Sequence, residues 1–160
     1  MPIETGIITI SDRAAGGEYR DLSGPALRQA VLGYGWQLRS ELIVPEEVRQ
    51  IQGAIREQIA KGCQLIVTTG GTGAAPRDVT PEAVLEIATR ELPGFGEVMR
   101  RESLRLTPYA ILSRSLAVVV ADSLVLCLPG KPNAAVENLG FVVSAIPHAV
   151  EVIRNQPTHQ

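Results

Sequence analysis

The fold is decided by residues 65–81, which read Leu65-Ile66-Val67-Thr68-Thr69-Gly70-Gly71-Thr72-Gly73-Ala74-Ala75-Pro76-Arg77-Asp78-Val79-Thr80-Pro81. The first five residues are apolar or β-branched, which is typical of a strand buried on both faces of an open α/β sheet. Thr80 and Pro81 predict a helix start, with a hydroxyl at the N-cap and proline in the first turn. The stretch therefore predicts a buried strand that leads through a polar turn into a helix.

The polar turn has three glycines in four residues, Gly70, Gly71 and Gly73. Glycine adopts positive φ without strain and has no Cβ, so the backbone N–H groups of such a turn can approach a ligand closely. Arg77 and Asp78 follow, and the acid stands at a spacing that suits a bound metal. At the carboxyl edge of a parallel sheet this arrangement is typical of an anion site, and we expect phosphate. The alternative interpretation is a plain loop in which Arg77 pairs with Asp78.

Two common phosphate motifs are excluded by the sequence. A dinucleotide-binding fingerprint that starts at Gly71 requires glycine or alanine where the chain has Pro76. A Walker-type loop requires Gly-Lys followed by serine or threonine, whereas Gly130-Lys131 continues into Pro132. The glycine turn is therefore of another kind.

Composition indicates one globular domain without a nucleic-acid partner. The chain has 160 residues, of which 45% are hydrophobic, and this is enough for one sizeable core. A net charge of −2 offers no positive field for a nucleic-acid backbone. Aromatic residues make up only 4% of the chain, too few to support base-stacking platforms.

The two cysteines and the absence of targeting signals predict a cytoplasmic protein. Cys63 and Cys127 lie in apolar, strand-like stretches, so we expect free, buried thiols in a reducing compartment. No uninterrupted apolar run approaches membrane-spanning length, and the N-terminus lacks the regions of a signal peptide. We therefore expect no membrane partner.

The remaining chain predicts a single domain over residues 1–160, with its core at about 5–153 and a loose tail at 156–160. Strands are expected at 5–10 and 36–44. A helix is expected from Phe95 to Leu106 with both of these residues on its inner side, and a long final helix is expected to begin with Asn133 as its N-cap.

The sheet is predicted to be mixed. The strand-like runs 116–120 and 124–128 are separated by only Ala121-Asp122-Ser123, which implies an antiparallel pair. The other strands alternate with helices. The fold class is therefore α/β: a three-layer domain with a mostly parallel mixed sheet, one antiparallel strand and helices on both faces.

Five blocks of this sequence form one set. They are Ile10-Ser11-Asp12, Ser23-Gly24-Pro25, the stretch 68–83 with its glycine turn, Leu112-Ser113-Arg114, and Leu128-Pro129-Gly130-Lys131-Pro132-Asn133. Together they resemble the signature of the molybdopterin-binding domain family, over roughly residues 5–153. The stretches 93–99 and 110–114 are most similar to the Mog-type branch, which is related to MoaB-type proteins and to the G domain of gephyrin.

The resemblance implies adenylyl transfer from Mg-ATP to molybdopterin, which gives adenylylated molybdopterin and pyrophosphate in molybdenum cofactor biosynthesis. It also implies a homotrimer and a partner protein that inserts molybdenum. By position, Asp78 takes the place of the family's catalytic, magnesium-associated aspartate. The implied nucleotide and molybdopterin site comprises Ser11, Asp12, Gly70, Gly71, Thr72, Gly73, Ser113, Arg114, Pro129, Gly130, Lys131 and Asn133.

One position departs from the family pattern. The family often has a second functional aspartate after a proline at the end of the second strand, where this chain has Pro45-Glu46. Glutamate keeps the charge but reaches one methylene further, and Mg²⁺ demands near-ideal octahedral geometry at short range. We expect Glu46 to act beside Asp78 in catalysis and metal binding through a water molecule.

The implied reaction needs no activated side-chain nucleophile, because the terminal phosphate of molybdopterin attacks. His148 and His159, the only histidines, are expected in the last helix and the tail, which argues against a histidine-based hydrolase. Two alternatives stay open. One is a non-catalytic MoaB-type molybdopterin-binding or scaffold protein, which Glu46 favours, and the other is a hydrolase of nucleotide-like molecules.

Overall fold

A fully buried strand, β3 (Leu65–Thr69), lies at the centre of the protein. Leu65 and Val67 pack into one hydrophobic cluster and Ile66 into a second, because successive side chains of a strand point to opposite faces. Each such buried side chain contributes about 1.5–3 kcal/mol. The structure is a computed structural model that describes residues 2–155. The predicted loose tail at 156–160 lies outside the described residues.

Strands and helices alternate along most of the chain. The elements are β1 (Glu4–Ile10), α1 (Asp12–Ala15), α2 (Ser23–Gly33), β2 (Gln37–Val44), α3 (Val48–Ala60), β3, α4 (Thr80–Ile87), β4 (Arg90–Glu91), α5 (Pro93–Ser103), β5 (Leu116–Val120), β6 (Ser123–Leu128), α6 (Pro132–Val142) and α7 (Ile146–Ile153). Short 3₁₀ turns cover Pro108–Leu112 and Val143–Ala145.

One six-stranded sheet has the order β2-β1-β3-β6-β5-β4. The neighbours β2, β1, β3 and β6 are paired parallel, whereas β5 is antiparallel to both β6 and β4. Ala121, in the tight turn between β5 and β6, adopts a φ of 54°. A single reversed strand in an otherwise parallel sheet confirms the predicted sheet.

Helices cover both faces of the sheet. Leu27 of α2, Met99 of α5 and Leu139 of α6 belong to the hydrophobic cluster on one face, with α7 beside them. Ile55 of α3 and Val84 of α4 belong to the cluster on the other face. These two apolar layers confirm the predicted three-layer architecture.

The strand register brings four loops together at one edge of the sheet. Thr9 of β1 stands beside Thr69 of β3, which in turn stands beside Leu128 of β6. Ile10 stands beside Val44, the last residue of β2. Because these parallel strands end level with one another, the loops that follow them meet, and ligands of open α/β sheets bind at this edge.

Three predicted details at helix ends are wrong. Leu106 was expected on the inner side of a helix, but α5 ends at Ser103 and Leu106 is 62% exposed. Residues 104–106 form turns, and Thr107 is extended with a φ of −155°, since proline at position 108 disfavours helical backbone in the residue before it. Asn133 is not the N-cap of α6, because Lys131 occupies that position and Pro132 begins the helix. Thr80 was expected to be an N-cap, but it lies inside α4, whose N-cap is Val79.

The helical run Pro132–Ile153 is, by length and composition only, long and apolar enough to cross a membrane. Leu139 and Ile146 on its inner side are fully buried in the hydrophobic cluster of α2 and α5. Glu137 and Glu151 interrupt its apolar sequence. We interpret the run as an amphipathic pair of helices packed on the sheet, broken by the 3₁₀ turn before Pro147.

Cys63 and Cys127 are free and buried, as predicted. Burial raises the pKa of both thiols, that of Cys127 to about 12. A thiol that stays protonated at neutral pH is a small apolar side chain rather than a nucleophile or a metal ligand.

Candidate active site

A cavity of about 580 Å³ opens at the edge of the sheet where the loops after β1, β2, β3 and β6 meet. This volume lies in the range of cavities that hold small-molecule ligands. Most of the site residues expected from the sequence form its walls. Those that line it are Ser11, Glu46, Gly70, Gly71, Thr72, Gly73, Asp78, Ser113, Pro129, Gly130 and Lys131.

The glycine turn has to be free of side chains at its first two positions. Gly70 and Gly71 have φ values of 106° and 70°, a backbone region that disfavours other residues. A Cβ on Gly70 would collide with the carbonyl oxygen of Ile10, and one on Gly71 with the hydroxyl of Thr80. That hydroxyl donates to the carbonyl of Gly70 at 2.9 Å, which ties α4 to the turn. Close packing of β1, the turn and α4 therefore requires glycine.

The same turn lines the cavity and carries backbone N–H donors. The N–H of Gly70 donates to the carbonyl of Leu128 at 3.1 Å and is therefore engaged. Within residues 2–155, the N–H groups of Gly71, Thr72 and Gly73 donate no hydrogen bond to the protein. Consecutive free N–H groups in a concave turn form an anion-binding nest. The turn can therefore bind a phosphate without any basic side chain.

Asp78 lines the cavity, and its carboxylate is not paired with the neighbouring Arg77. In the described part of the chain its Oδ2 accepts one hydrogen bond, from the N–H of Ala75 at 2.9 Å. A Cβ on Gly73 would lie 2.7 Å from this oxygen, so the glycine turn and the carboxylate are packed against each other. The pairing of Arg77 with Asp78 that the alternative interpretation expected is wrong.

Arg77 binds the side chain of Asp12 instead. Its Nε lies 2.6 Å from Oδ2 of Asp12 and its Nη2 lies 2.9 Å from Oδ1. Oδ1 also accepts from the N–H of Glu46 at 3.0 Å. The hydrogen bonds that Asp12 accepts from Arg77 and then from Glu46 lower the pKa of Asp12, and donating to this carboxylate raises the pKa of Arg77. This ion pair joins the loops after β1, β2 and β3.

Glu46 is the second carboxylate in the cavity. Burial raises its pKa, and repulsion from Asp12 and Asp78 raises it further, while Arg77 partly opposes the shift. The carboxylates of Asp12 and Asp78 therefore add a negative field at this position to the effect of burial. A cation that entered between the carboxylates of Glu46 and Asp78 would relieve that field.

Three residues that the sequence assigns to the site do not line the cavity. Asp12 binds Arg77, as described above. Arg114 directs its guanidinium at the backbone of the loop between Gly73 and Asp78. Asn133 is exposed at the start of α6. Their roles in ligand binding stay predictions.

Sequence reasoning missed the wall opposite the glycine turn. It comes from the end of α5, the 3₁₀ turn that follows and the first turns of α6. Its residues are Ser103, Leu106, Thr107, Tyr109, Ala110, Leu112, Ala134, Glu137 and Asn138, together with Ile10 below the turn. The one available signal was the dipeptide Thr107-Pro108, which predicts a turn start rather than a helix.

The charge of the cavity is predominantly negative. Among the residues described, Lys131 is the one basic side chain that lines it, against the carboxylates of Glu46, Asp78 and Glu137. The searched residues contain no group of three or more histidine, cysteine, aspartate or glutamate side chains that could hold a metal ion. The cavity thus offers two adjacent acids rather than a complete metal cage.

The fold and the cavity define a class of protein. It is an α/β domain that can bind anionic ligands on a glycine turn beside acidic side chains at the carboxyl edge of its sheet. The profile described as "Probable molybdopterin binding domain" matches residues 6–148. The chain belongs to this molybdopterin-binding domain family.

Relatives of known name support the assignment over most of the chain. A molybdopterin adenylyltransferase of Haemophilus influenzae is 41% identical over 94% of this chain and 84% of its own length. A molybdopterin adenylyltransferase of Escherichia coli K12 is 44% identical over 89% of this chain and 75% of its own length.

A solved structure agrees with the fold. The crystal structure of the molybdopterin biosynthesis enzyme MoaB from Thermus thermophilus superposes with a TM-score of 0.90. It is 41% identical and covers 97% of this chain and 98% of its own. The sequence identity of this chain to proteins named molybdopterin adenylyltransferase is therefore about the same as its identity to a protein named MoaB.

Proposed function

We propose that this protein is a molybdopterin adenylyltransferase. It transfers AMP from ATP to molybdopterin and releases pyrophosphate in molybdenum cofactor biosynthesis. The observation that carries the proposal is the free N–H groups of Gly71, Thr72 and Gly73 beside the carboxylates of Asp78 and Glu46 in one cavity. The names of the relatives in Haemophilus influenzae and Escherichia coli support the same activity.

The reaction joins two anions and needs no base from the protein. An oxygen of the terminal phosphate of molybdopterin attacks the α-phosphorus of ATP, and the bond from that phosphorus to the bridging oxygen of pyrophosphate breaks. The attacking oxygen is already ionised at neutral pH. The protein has to hold both substrates in line and offset their charge, and good alignment alone is worth up to about 7–11 kcal/mol.

Different residues of the cavity align the substrates and offset their charge. The free N–H groups of the glycine turn bind phosphate oxygens where negative charge develops. The ammonium group of Lys131 adds one positive charge at the rim. Leu106 and Leu112, exposed side chains that line the cavity, provide an apolar surface for a flat heterocycle.

The carboxylates of Asp78 and Glu46 fit a magnesium ion. Mg²⁺ is usually held by one or two carboxylates together with water and substrate phosphates, and a pair of acids matches this need better than it would match a zinc site. The raised pKa of Glu46, caused by burial and by the neighbouring carboxylates, supports a cation at this position. Bound there, Mg²⁺ would neutralise charge on the transferred phosphoryl group.

We also propose self-association as a homotrimer in the cytoplasm. An apolar groove of about 550 Å³ between α5 and α6, lined in part by Leu92, Phe95, Val98 and Phe141, supports a protein contact on this face. Trimer formation is checked by analytical ultracentrifugation. A protein that inserts molybdenum would take the adenylylated product.

One incubation distinguishes the proposed reaction from its alternatives. Purified protein with Mg-ATP and molybdopterin is expected to give adenylylated molybdopterin and pyrophosphate. With Mg-ATP alone it is expected to give neither product. Binding of molybdopterin without transfer would identify a MoaB-type binding protein, the alternative that Glu46 favours. Hydrolysis of ATP alone would identify a hydrolase.

The role of Asp78 is tested by Asp78→Asn, which keeps the shape and removes the charge. We expect product formation to fall at least about 100-fold, because electrostatic groups at the reacting phosphate act in the transition state. The matched control is Asp122→Asn in the turn between β5 and β6, where the carboxylate is 61% exposed. Folded Asp78→Asn protein with near-normal turnover would contradict the assignment.

A further inference from the structure

Arg114 makes an extended set of contacts with the loop that carries Asp78. Its Nε donates to the carbonyl of Gly73 at 2.8 Å, and its Nη2 donates to the carbonyl of Asp78 at 2.6 Å. Its Nη1 lies 2.6 Å from the carboxylate of Glu82 in the first turn of α4. Its backbone N–H donates to the carbonyl of Thr72 at 2.8 Å. One residue thus binds both ends of the loop 73–78.

These contacts leave the guanidinium poorly suited to a phosphate ligand. Three of its nitrogens are directed at the loop and at Glu82, and the ion pair with Glu82 already offsets its charge. Hydrogen bonding to Glu82 raises the pKa of Arg114, so the guanidinium stays charged. Arg114 is also absent from the described residues that line the cavity.

The shape of this loop sets the position of the catalytic carboxylate. Ala75 donates to Oδ2 of Asp78 at 2.9 Å, and Gly73 packs against the same oxygen. The two carbonyls bound by Arg114 bracket these contacts. If they were released, the loop would lose the constraint that holds its ends together. A displacement of about 1 Å at a reacting group can lower a rate about 100-fold.

We propose that Arg114 is a positioning residue, which acts through the backbone carbonyls of Gly73 and Asp78 to fix the carboxylate of Asp78 in the cavity. The proposal rests on the proposed function in so far as Asp78 is the acid that serves the reaction. It assigns Arg114 a contact with the protein backbone rather than with ATP or molybdopterin.

Arg114→Ala tests the proposal, and Arg28→Ala is the matched control. Arg28 forms an exposed ion pair with Glu41 at 2.7 Å, with a side chain 46% exposed against 39% for Arg114, but it is remote from the cavity. Arg114→Lys serves as a milder variant that retains one positive charge and cannot bind both carbonyls at once. All proteins are compared at temperatures at which circular dichroism shows them folded.

Two readouts separate positioning from ligand binding. In Arg114→Ala and Arg114→Lys without substrates, exchange of the hydrogen-bonded amides of Ala75 and Asp78 in the loop 73–78 is expected to become about 10-fold faster or more, with no change in Arg28→Ala. In the transfer assay, kcat is expected to fall about 10- to 100-fold while KM for ATP and for molybdopterin changes less than about 3-fold. The Mg²⁺ concentration that gives half-maximal rate is expected to rise.

The opposite pattern would overturn the proposal. Unchanged exchange of these amides in 73–78 would refute the positioning role. A raised KM with unchanged kcat that Arg114→Lys largely restores would make Arg114 a ligand of the phosphates instead. The exchange measurement uses no substrate, so it stands even if the wild-type protein transfers no AMP. An inactive wild-type protein with fast exchange in Arg114→Ala would therefore refute the proposed function and keep the positioning role.

Discussion

Gly71→Ala is expected to lower the free energy of unfolding by about 2–5 kcal/mol. The φ of Gly71 is 70°, and an L-residue in this left-handed region costs roughly 1–2 kcal/mol. The added Cβ would also collide with the hydroxyl of Thr80, which now donates to the buried carbonyl of Gly70 at 2.9 Å. Breaking that hydrogen bond and leaving a buried carbonyl unsatisfied costs roughly 1–3 kcal/mol.

Substitutions at two other glycines separate the strain of a positive φ from the cost of the collision with Thr80. Gly62 has a φ of 86°, but a Cβ there would meet no atom within 4 Å, so Gly62→Ala is expected to cost only about 1–2 kcal/mol. Gly33, at the end of α2, has neither a positive φ nor a neighbour within 4 Å. Gly33→Ala is expected to stabilise the protein by about 0.5–1 kcal/mol.

Urea unfolding followed by the fluorescence of Trp36 measures all three variants. Protein concentration has to be held constant, because self-association would add to the apparent stability. A double-mutant cycle with Thr80→Ala isolates the collision. Removing the hydroxyl should cost less in the Gly71→Ala background than in the wild type, by at least about 1 kcal/mol. If Gly71→Ala costs no more than Gly62→Ala and the cycle shows no coupling, close packing of the turn is not why glycine is required there.

Three further outcomes are expected. Lys131→Ala should raise KM for ATP about 10-fold through loss of one charge-assisted contact, whereas Lys61→Ala, whose ammonium lies 3.6 Å from a surface glutamate, should leave KM unchanged in the same assay. Burial and the neighbouring carboxylates raise the pKa of Glu46, so its ionisation costs stability as pH rises above the ordinary value of 4.5. Glu46→Gln should therefore raise the urea midpoint at about pH 7 and leave it unchanged at about pH 3.5, below both pKa values. Cys63 and Cys127 should resist a thiol reagent at about pH 8 until the protein is unfolded, and fast labelling of the native state would contradict their burial.

The sheet was predictable because its longer strands have clear local sequence patterns. The run 65–69 has no polar residue other than threonine, and the short gap between β5 and β6 allows only an antiparallel pair. Two short elements gave no such signal. β4 is the dipeptide Arg90-Glu91, which pairs with Val118 and Val119 through its backbone alone. The four-residue α1 is capped by Ser11 but buries no side chain.

The cavity was only half predictable. The glycine turn and Asp78 are adjacent in sequence, so their chemistry is visible in one stretch. The opposite wall depends on where α5 ends, and the apolar spacing from Phe95 to Leu106 continues past that end. Ser103 and Asn138 meet there through a 3.1 Å hydrogen bond between residues 35 positions apart. No local pattern encodes a contact of that separation.

Sequence neighbours were also a poor guide to charge pairing. Arg77 precedes Asp78, yet its guanidinium binds Asp12, while the carbonyl of Asp78 is bound by Arg114. Both arginines therefore form ion pairs with carboxylates of the protein itself, Arg77 with Asp12 and Arg114 with Glu82. They shape the loop that carries Asp78 without giving the cavity positive charge.

This use of arginine explains why an acidic cavity suits anionic substrates. A cavity lined by guanidinium groups would neutralise Asp78 and hold phosphates tightly before and after the reaction, which lowers KM without raising kcat. Within residues 2–155 the carboxylates of Asp78 and Glu46 form no such ion pair, so in the proposed reaction phosphate binding would depend on a cation that arrives with the nucleotide. The free N–H groups of the glycine turn carry no net charge, so they can orient a phosphate without competing for that cation. The pairing of Arg77 with Asp12 and of Arg114 with Glu82 therefore leaves the carboxylates of Asp78 and Glu46 open to a cation in the proposed transfer.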